Sequence, residues 1–434
     1  MAIRATVWSQ LDDAAQRALL RRPAVTSAAE IRDAVADIVA AVREQGDAAL
    51  SELTRRFDRT ELKEFRVDAD EIRAAADMLA GDAVAAIDVA ISNVRKFHEQ
   101  QLPRPLSVET MPGVRCERYS HALDSVGLYV PAGTAPLPSA AIMLAVPAAI
   151  AGCPIRILCT PPRADGTADP AVLVAASRAG VSVIYKLGGA QAIAAMAFGT
   201  ESVPKVCKIF GPGNAWVTCA KTLVSGDAAG AAIDMPAGPS EVLVIADAGA
   251  SAEFVASDLL SQAEHGVDSQ VVLVTTSTDL AAQVQREVAA QLETLSRKHI
   301  AREALAHSRV IVVDSIATAI DVSNRYAPEH LILQFAGARD ALPAIRNAGS
   351  VFVGAWTPEA VGDYCSGTNH VLPTYGFAQT YSGLGIDQFM RHMTVQELSQ
   401  DGLARLGDTV ICLAGLEGLD AHAAAVRRRL RKST

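Results

Sequence analysis

The sequence predicts an α/β protein of two Rossmann-like doubly wound units that lack the G-x-G-x-x-G fingerprint, with a short N-terminal arm and a helical C-terminal tail. Three observations carry this prediction. Across residues 126–224, and again across 242–353, short apolar strands alternate with helices through glycine- or proline-rich turns, the pattern of parallel strands joined by crossover helices. Half of the 434 residues are hydrophobic but only 5% are aromatic, which suits elements packed through Ala and Val. A chain of this length has room for roughly two to four domains and more than one buried core.

Residues 1–25 read as the arm, which ends in Arg22-Pro23-Ala24-Val25. Ser27 is placed to cap a helix whose apolar positions Ile31, Val35, Ile38, Val39 and Val42 form one stripe. Helical patterning continues through 48–57, 70–79 and 84–98, and residues 26–128 are assigned to the first part of the larger unit. Val126–Val130 reads as a buried strand, followed by a turn-rich stretch, a small-residue helix at 140–151 and a strand at 155–159. After the loop 161–169 come a helix at 171–179, a strand at 181–186, the Gly188-Gly189 turn and a helix at 191–198. A strand at 208–210, the turn Gly211-Pro212-Gly213-Asn214 and a helix at 215–224 complete a unit spanning 129–240. Pro236-Ala237-Gly238-Pro239-Ser240 reads as a hinge into the unit 241–384. Its expected strands are 242–245, 271–275, 310–313, 331–334 and 350–353, with helices at 252–262, 279–295 and 340–347. The tail, 385–434, is expected to be helical at 395–399, 410–413 and 419–430.

A net charge of -9 argues against a nucleic-acid partner, because phosphate binding needs a cationic footprint. The basic cluster Arg427-Arg428-Arg429 ends the last helix, where cations complement the helix dipole. The seven cysteines include no C-x-x-C pair and read as buried small hydrophobes in a reducing compartment. No signal-peptide core precedes Leu11-Asp12-Asp13, and the most apolar run, 140–153, is too short to span a bilayer. The expectation is a cytoplasmic protein with no membrane contact.

Four stretches carry candidate chemistry. Gln262 and His265 lie three apart near a helix end, so an amide oxygen and an imidazole share one face and suit a borderline metal such as zinc. Alone, such a pair is more often a hydrogen-bonded surface feature than a metal site. Tyr326-Ala327-Pro328-Glu329-His330 sets a carboxylate beside an imidazole, two proton-transfer groups for a reaction with separate acid and base steps. Pro328 is expected to keep Ala327 extended, and an exposed pair at a strand end is the plain alternative. Gly362–His370 is polar and offers Asp363 as an oxygen ligand or turn residue, with His370 beside it; Glu417–His422 sits in the tail, where His422 occupies an ordinary amphipathic position.

The chain resembles the histidinol dehydrogenase family over essentially its whole length. The matching stretches are Ser125–Pro131, Lys186–Gly199, Lys205–Asn214, Gly230–Asp247, Val255–Asp268, Ala327–Leu331, Gly362–Tyr375 and Glu417–Val426. The resemblance implies a zinc-dependent, NAD-linked alcohol and aldehyde dehydrogenase of histidine biosynthesis. Such an enzyme oxidises L-histidinol to L-histidine through L-histidinaldehyde, with two NAD+ and one Zn2+ per subunit. By position it implies Gln262, His265, Asp363 and His422 as zinc ligands, and Glu329 and His330 as the proton-transferring pair. It implies Tyr129, Gln191 and Asn214 as NAD contacts. Ser240 and Glu417 are implied substrate contacts together with Gln262, His265, His330, Asp363, His370 and His422. The family forms an intertwined homodimer whose tail reaches the partner's site. Ala132, where the family has glycine, and the longer 161–169 loop depart from the pattern without touching an implied site residue.

The residue types agree with that chemistry. Alcohol oxidation needs a base for the hydroxyl proton, which a neutral imidazole at His330 provides; hydration of the aldehyde needs water deprotonated, which suits the carboxylate of Glu329. Three other readings are open: the same scaffold acting on another alcohol, a thiol-dependent aldehyde dehydrogenase using Cys116 or Cys153, and a metal-dependent binding protein without catalysis.

Overall fold

Two parallel sheets form where the sequence alternates strands with helices. The computed structural model describes residues 5–22, 28–132, 135–235 and 238–431; Ser27, Pro23–Val25 and the Pro236-Ala237 part of the expected hinge fall outside these. One sheet has five strands in the order Val183–Lys186, Ile155–Thr160, Ser125–Tyr129, Lys208–Phe210 and Ala232–Ile233. The other has six, in the order Ala5–Val7, Arg309–Val312, Gln270–Thr275, Glu241–Ala246, His330–Gln334 and Ser350–Val353. All pairings in both are parallel, which requires helices on each face and leaves the central strands buried on both sides. Glu241–Ala246 and Gln270–Thr275 are buried at every position. Successive side chains then serve opposite cores: Val242 and Val244 enter one cluster, Leu243 and Ile245 the other.

The five-stranded sheet is covered in the same way. Val126, Leu128 and Val130 pack with the helix Pro138–Ala151, while Tyr129, Ile157 and Cys159 pack with the helices Ala28–Gln45 and Gly189–Phe198. The helix Pro138–Ala151 is buried nearly all round and contains Pro147. Proline has no N–H to bond the carbonyl four residues earlier, that of Met143. Asn369 Nδ2 donates to this carbonyl at 2.7 Å, which anchors the 362–375 stretch to the sheet's helical layer.

Several elements differ from expectation. The arm adds the edge strand Ala5–Val7 to the six-stranded sheet. The helices of residues 28–99 pack on the five-stranded sheet, whereas the sequence grouped 26–128 with the larger unit; their apolar stripes complete that sheet's two clusters. A three-stranded antiparallel sheet joins Met390–Leu398, Val114–Ala122 and Leu106–Met111, so the expected helix at 395–399 is strand. Both faces of this ribbon are largely exposed, so no apolar alternation marks it. The expected helix 340–347 shrinks to one 3-10 turn, Leu342–Ala344, with Pro343 inside it. Only Cys153 and Cys159 are buried; Cys207 and Cys412 are exposed, and all seven are unpaired thiols. Among the described residues no helix is long and apolar enough to cross a membrane.

Candidate active site

His330 opens the strand His330–Gln334 and pairs in register with Val242 of the neighbouring strand. That register sets the backbone of residue 241 against both candidate proton carriers. The Glu241 N–H donates to Glu329 Oε2 at 2.8 Å, and the Glu241 carbonyl accepts from His330 Nδ1 at 3.0 Å. A hydrogen on Nδ1 leaves Nε2 as the basic nitrogen of the neutral ring. This Nε2 is buried without a hydrogen-bond partner and lies 3.4 Å from Asp363 Oδ1. The pair is therefore interior, not an exposed strand end: Glu329 is 6% and His330 3% exposed. Ala327 is left-handed (φ 52, ψ 68) and not extended, because its N–H closes the helix Ile316–Tyr326 by donating to Ser323. For a residue with a side chain this backbone costs roughly 1–2 kcal/mol.

Burial pushes the Glu329 carboxyl up to about 8 against the opposing pull of His330. Burial alone would lower the His330 pKa, but Glu329, Glu359 and Asp363 around it raise it well above the usual imidazole range. For Asp363 burial works upward, and His330, His370 and His265 outweigh it and hold the carboxyl below its ordinary value. Burial and neighbouring carboxylates raise Glu359 well above the usual range. Three carboxyl groups thus crowd one imidazole in a small interior space, an arrangement that a cation relieves.

The donors for such a cation are present. One ligand atom each from His265, Glu359 and Asp363 lies within 4.8 Å of the others. Gln262 is fully buried beside them in the last turn of the helix Ala252–Ala263. Its amide nitrogen, assigned from the hydrogen-bond network, donates to both oxygens of Glu359, one at 3.1 Å. The remaining amide atom, then the oxygen, lies 3.5 Å from His265 Nδ1. An imidazole and two carboxylates facing one point, with the Gln262 amide oxygen beside the imidazole and the partnerless His330 Nε2 alongside, fit a borderline divalent ion.

Tyr129, Gln191 and Asn214 gather at the carboxyl ends of the five-stranded sheet. Tyr129 ends its strand; Gly211 follows the adjacent strand Lys208–Phe210, and Gly189 follows Val183–Lys186, two strands away on the other side. The chain order reverses between Ser125–Tyr129 and Lys208–Phe210, the place where parallel sheets open a ligand crevice. The Tyr129 hydroxyl accepts the Gly189 N–H at 3.0 Å, and burial pushes its pKa up to about 12. Gln191 is buried in the first turn of its helix. Asn214 Oδ1 caps the helix Ala215–Ser225, accepting from Trp216 and Val217, each at 3.1 Å. By contrast, Glu329 and His330 sit at the amino ends of the six-stranded sheet.

Ser240 is half-buried immediately before the residue that clamps the pair. His370 Nδ1 donates to the Asp363 carbonyl at 2.8 Å, and burial lowers its pKa. Glu417 and His422 are exposed on the tail, and the ligand cluster among the described residues contains neither. Sequence reasoning passed over three residues here: Glu359, Glu241 and Arg22. Glu359 had a signal, since it stands four residues before Asp363 on the helix Glu359–Tyr364 and shares its face.

The family model for histidinol dehydrogenase matches residues 20–430. The chain is 55% identical to the histidinol dehydrogenase of Vibrio parahaemolyticus, over 100% of this chain and 99% of that one. It is 56% identical to the corresponding enzyme of Xanthomonas oryzae over 98% of each chain. The crystal structure of histidinol dehydrogenase from Elizabethkingia anophelis superposes with a TM-score of 0.95 at 45% identity, covering 99% of this chain and 98% of that one. Matched in sequence and backbone from end to end, the chain belongs to the histidinol dehydrogenase family.

Proposed function

We propose that this protein oxidises L-histidinol to L-histidine in histidine biosynthesis through two successive NAD-linked steps at one site. The family uses NAD and zinc, and the donor set described above fits the metal. The observation that carries the reading is the buried Glu329–His330 pair, held by one backbone residue beside the cluster of metal-competent donors.

Gln262, His265 and Asp363 would hold zinc, and bound zinc supplies orientation of the substrate's nitrogen atoms together with positive charge among the carboxylates. Bound NAD supplies hydride acceptance, once in each oxidation. His330, with Nδ1 committed to the Glu241 carbonyl, presents Nε2 to take the alcohol proton once cationic charge among the carboxylates offsets their upward pull and leaves the ring neutral. Glu329 takes a proton from the water that adds to the aldehyde. Its carboxyl, pushed up to about 8 in the chain alone, becomes the base when cationic charge beside it restores the ionised form. Tyr129, Gln191 and Asn214 border the crevice that would seat NAD, and Ser240 and His370 flank the space assigned to substrate.

We also infer that a second copy of the chain supplies Glu417 and His422. Supporting this, His422 is exposed and outside the cluster, and the same tail leaves Leu413 56% and Leu416 81% exposed. The thiol reading finds no support. Cys153 donates to the Phe389 carbonyl, and burial raises its pKa, while Cys116 lies on the antiparallel ribbon.

The test is Glu329→Gln with each half-reaction assayed separately. Aldehyde oxidation should fall far more than alcohol oxidation, because only the second step consumes a water. An equal fall in both steps would reject the role given to Glu329.

A further inference from the structure

We propose that Arg22, in the N-terminal arm, is a positioning residue for the Glu329–His330 pair and acts through Glu241. The inference rests on the reading of that pair as the proton carriers. The Glu241 side chain is buried, and its carboxylate is gripped in a fork: Arg22 Nε donates to Oε1, and Arg22 Nη2 to Oε2 at 2.8 Å. The same Nη2 donates to the carbonyls of Tyr326 (2.8 Å) and Ala327 (3.2 Å), the two residues preceding Pro328. The guanidinium lies over the Tyr326 ring, 4.0 Å from its centroid, and Tyr375 N–H donates to Glu241 Oε1 at 2.9 Å. The Arg22–Glu241 ion pair therefore ties together four segments remote in sequence.

Two of those segments set the position of the proton carriers. The backbone of residue 241 donates to Glu329 and accepts from His330. Ala327, two residues before Glu329, holds a left-handed backbone that a residue with a side chain leaves unless its surroundings fix it. Arg22 fixes the side chain at the first point and the carbonyl at the second. A planar guanidinium bonds both carboxylate oxygens and stacks on an aromatic ring at once; an ammonium supplies the charge without the fork.

The test compares Arg22→Gln, Arg22→Lys, Glu241→Gln and the double variant Arg22→Gln/Glu241→Gln in the metal-loaded enzyme. Both half-reactions are measured, with rates normalised to folded protein by thermal melting. Arg22→Gln should lower kcat of both steps roughly tenfold to a hundredfold while KM for NAD stays within about twofold, because reacting groups are misplaced without loss of the cofactor crevice. Arg22→Lys should recover part of that loss. The double variant should be no worse than the poorer single one, since both break one clamp. Normal kcat per folded molecule in Arg22→Gln and Glu241→Gln would make Arg22 a staple of the arm and overturn the proposal. Additive losses in the double variant would overturn it too. Should Arg22→Gln fail to fold, Arg22→Lys and Glu241→Gln decide on the same readouts. Glu329→Gln and His330→Asn run alongside separate the failures. If these collapse turnover while the clamp variants do not, the clamp alone is wrong; if they leave turnover intact, the reading of the pair falls and the proposal with it.

Discussion

Asp258 lies one helical turn before Gln262, buried, and accepts Gln334 Nε2 at 2.8 Å. Burial pushes its carboxyl up to about 7 from an ordinary 3.8. Folding therefore favours the protonated form. The contribution to stability is full below about pH 4, declines as pH rises, and is gone above about pH 7. Asp258→Asn removes that dependence and offers an N–H to Gln334 Oε1, which lacks a partner. In metal-free protein the variant should gain stability over the parent as pH rises from 4.5 to 7.5. Denaturant titrations across that range measure it, and a pH-independent difference would contradict the account. At this scale the sequence showed what adjacency and short spacing show: Glu329 beside His330, and Gln262 three residues before His265. It did not show Arg22 and Glu241, which meet across 219 positions and act through backbone atoms.

Among the elements, the turn after Lys208–Phe210 depends on a buried ion pair. Lys221 Nζ donates to Asp234 Oδ1 and, at 2.8 Å, to the Gly211 carbonyl, while Asp234 Oδ2 accepts the Gly211 N–H at 2.8 Å. Gly211 has φ 122, and a side-chain carbon there would overlap the Tyr129 carbonyl oxygen. Lys221→Met leaves Asp234 uncompensated and should cost about 3–5 kcal/mol, with a raised KM for NAD as the turn shifts. Adding Asp234→Asn should recover part of the stability. A loss below about 1 kcal/mol would show that the pair does not hold the turn. The parallel strands were legible because burial on both faces makes them continuous apolar runs. Met390–Leu398 and its two partners were not, because a ribbon exposed on both faces carries no apolar period.

For the whole molecule, two parallel sheets were legible in the alternation of elements, whereas their strand order, the edge strand Ala5–Val7 and the antiparallel ribbon were not. If Glu417 and His422 come from a partner, two inactive variants should complement each other. Gln262→Ala and His422→Ala, unfolded and refolded together, give half mixed dimers, each with one site free of both lesions. About a quarter of wild-type activity should return. No recovery in dimers shown to be mixed would reject the shared site. The central claim is that one site carries histidinol through both oxidations to the acid, and the ratio of NADH formed to histidinol consumed tests it most directly. The account predicts two NADH per histidinol with histidine as the product. A ratio of one, with aldehyde accumulating, or no NADH from histidinol would contradict it.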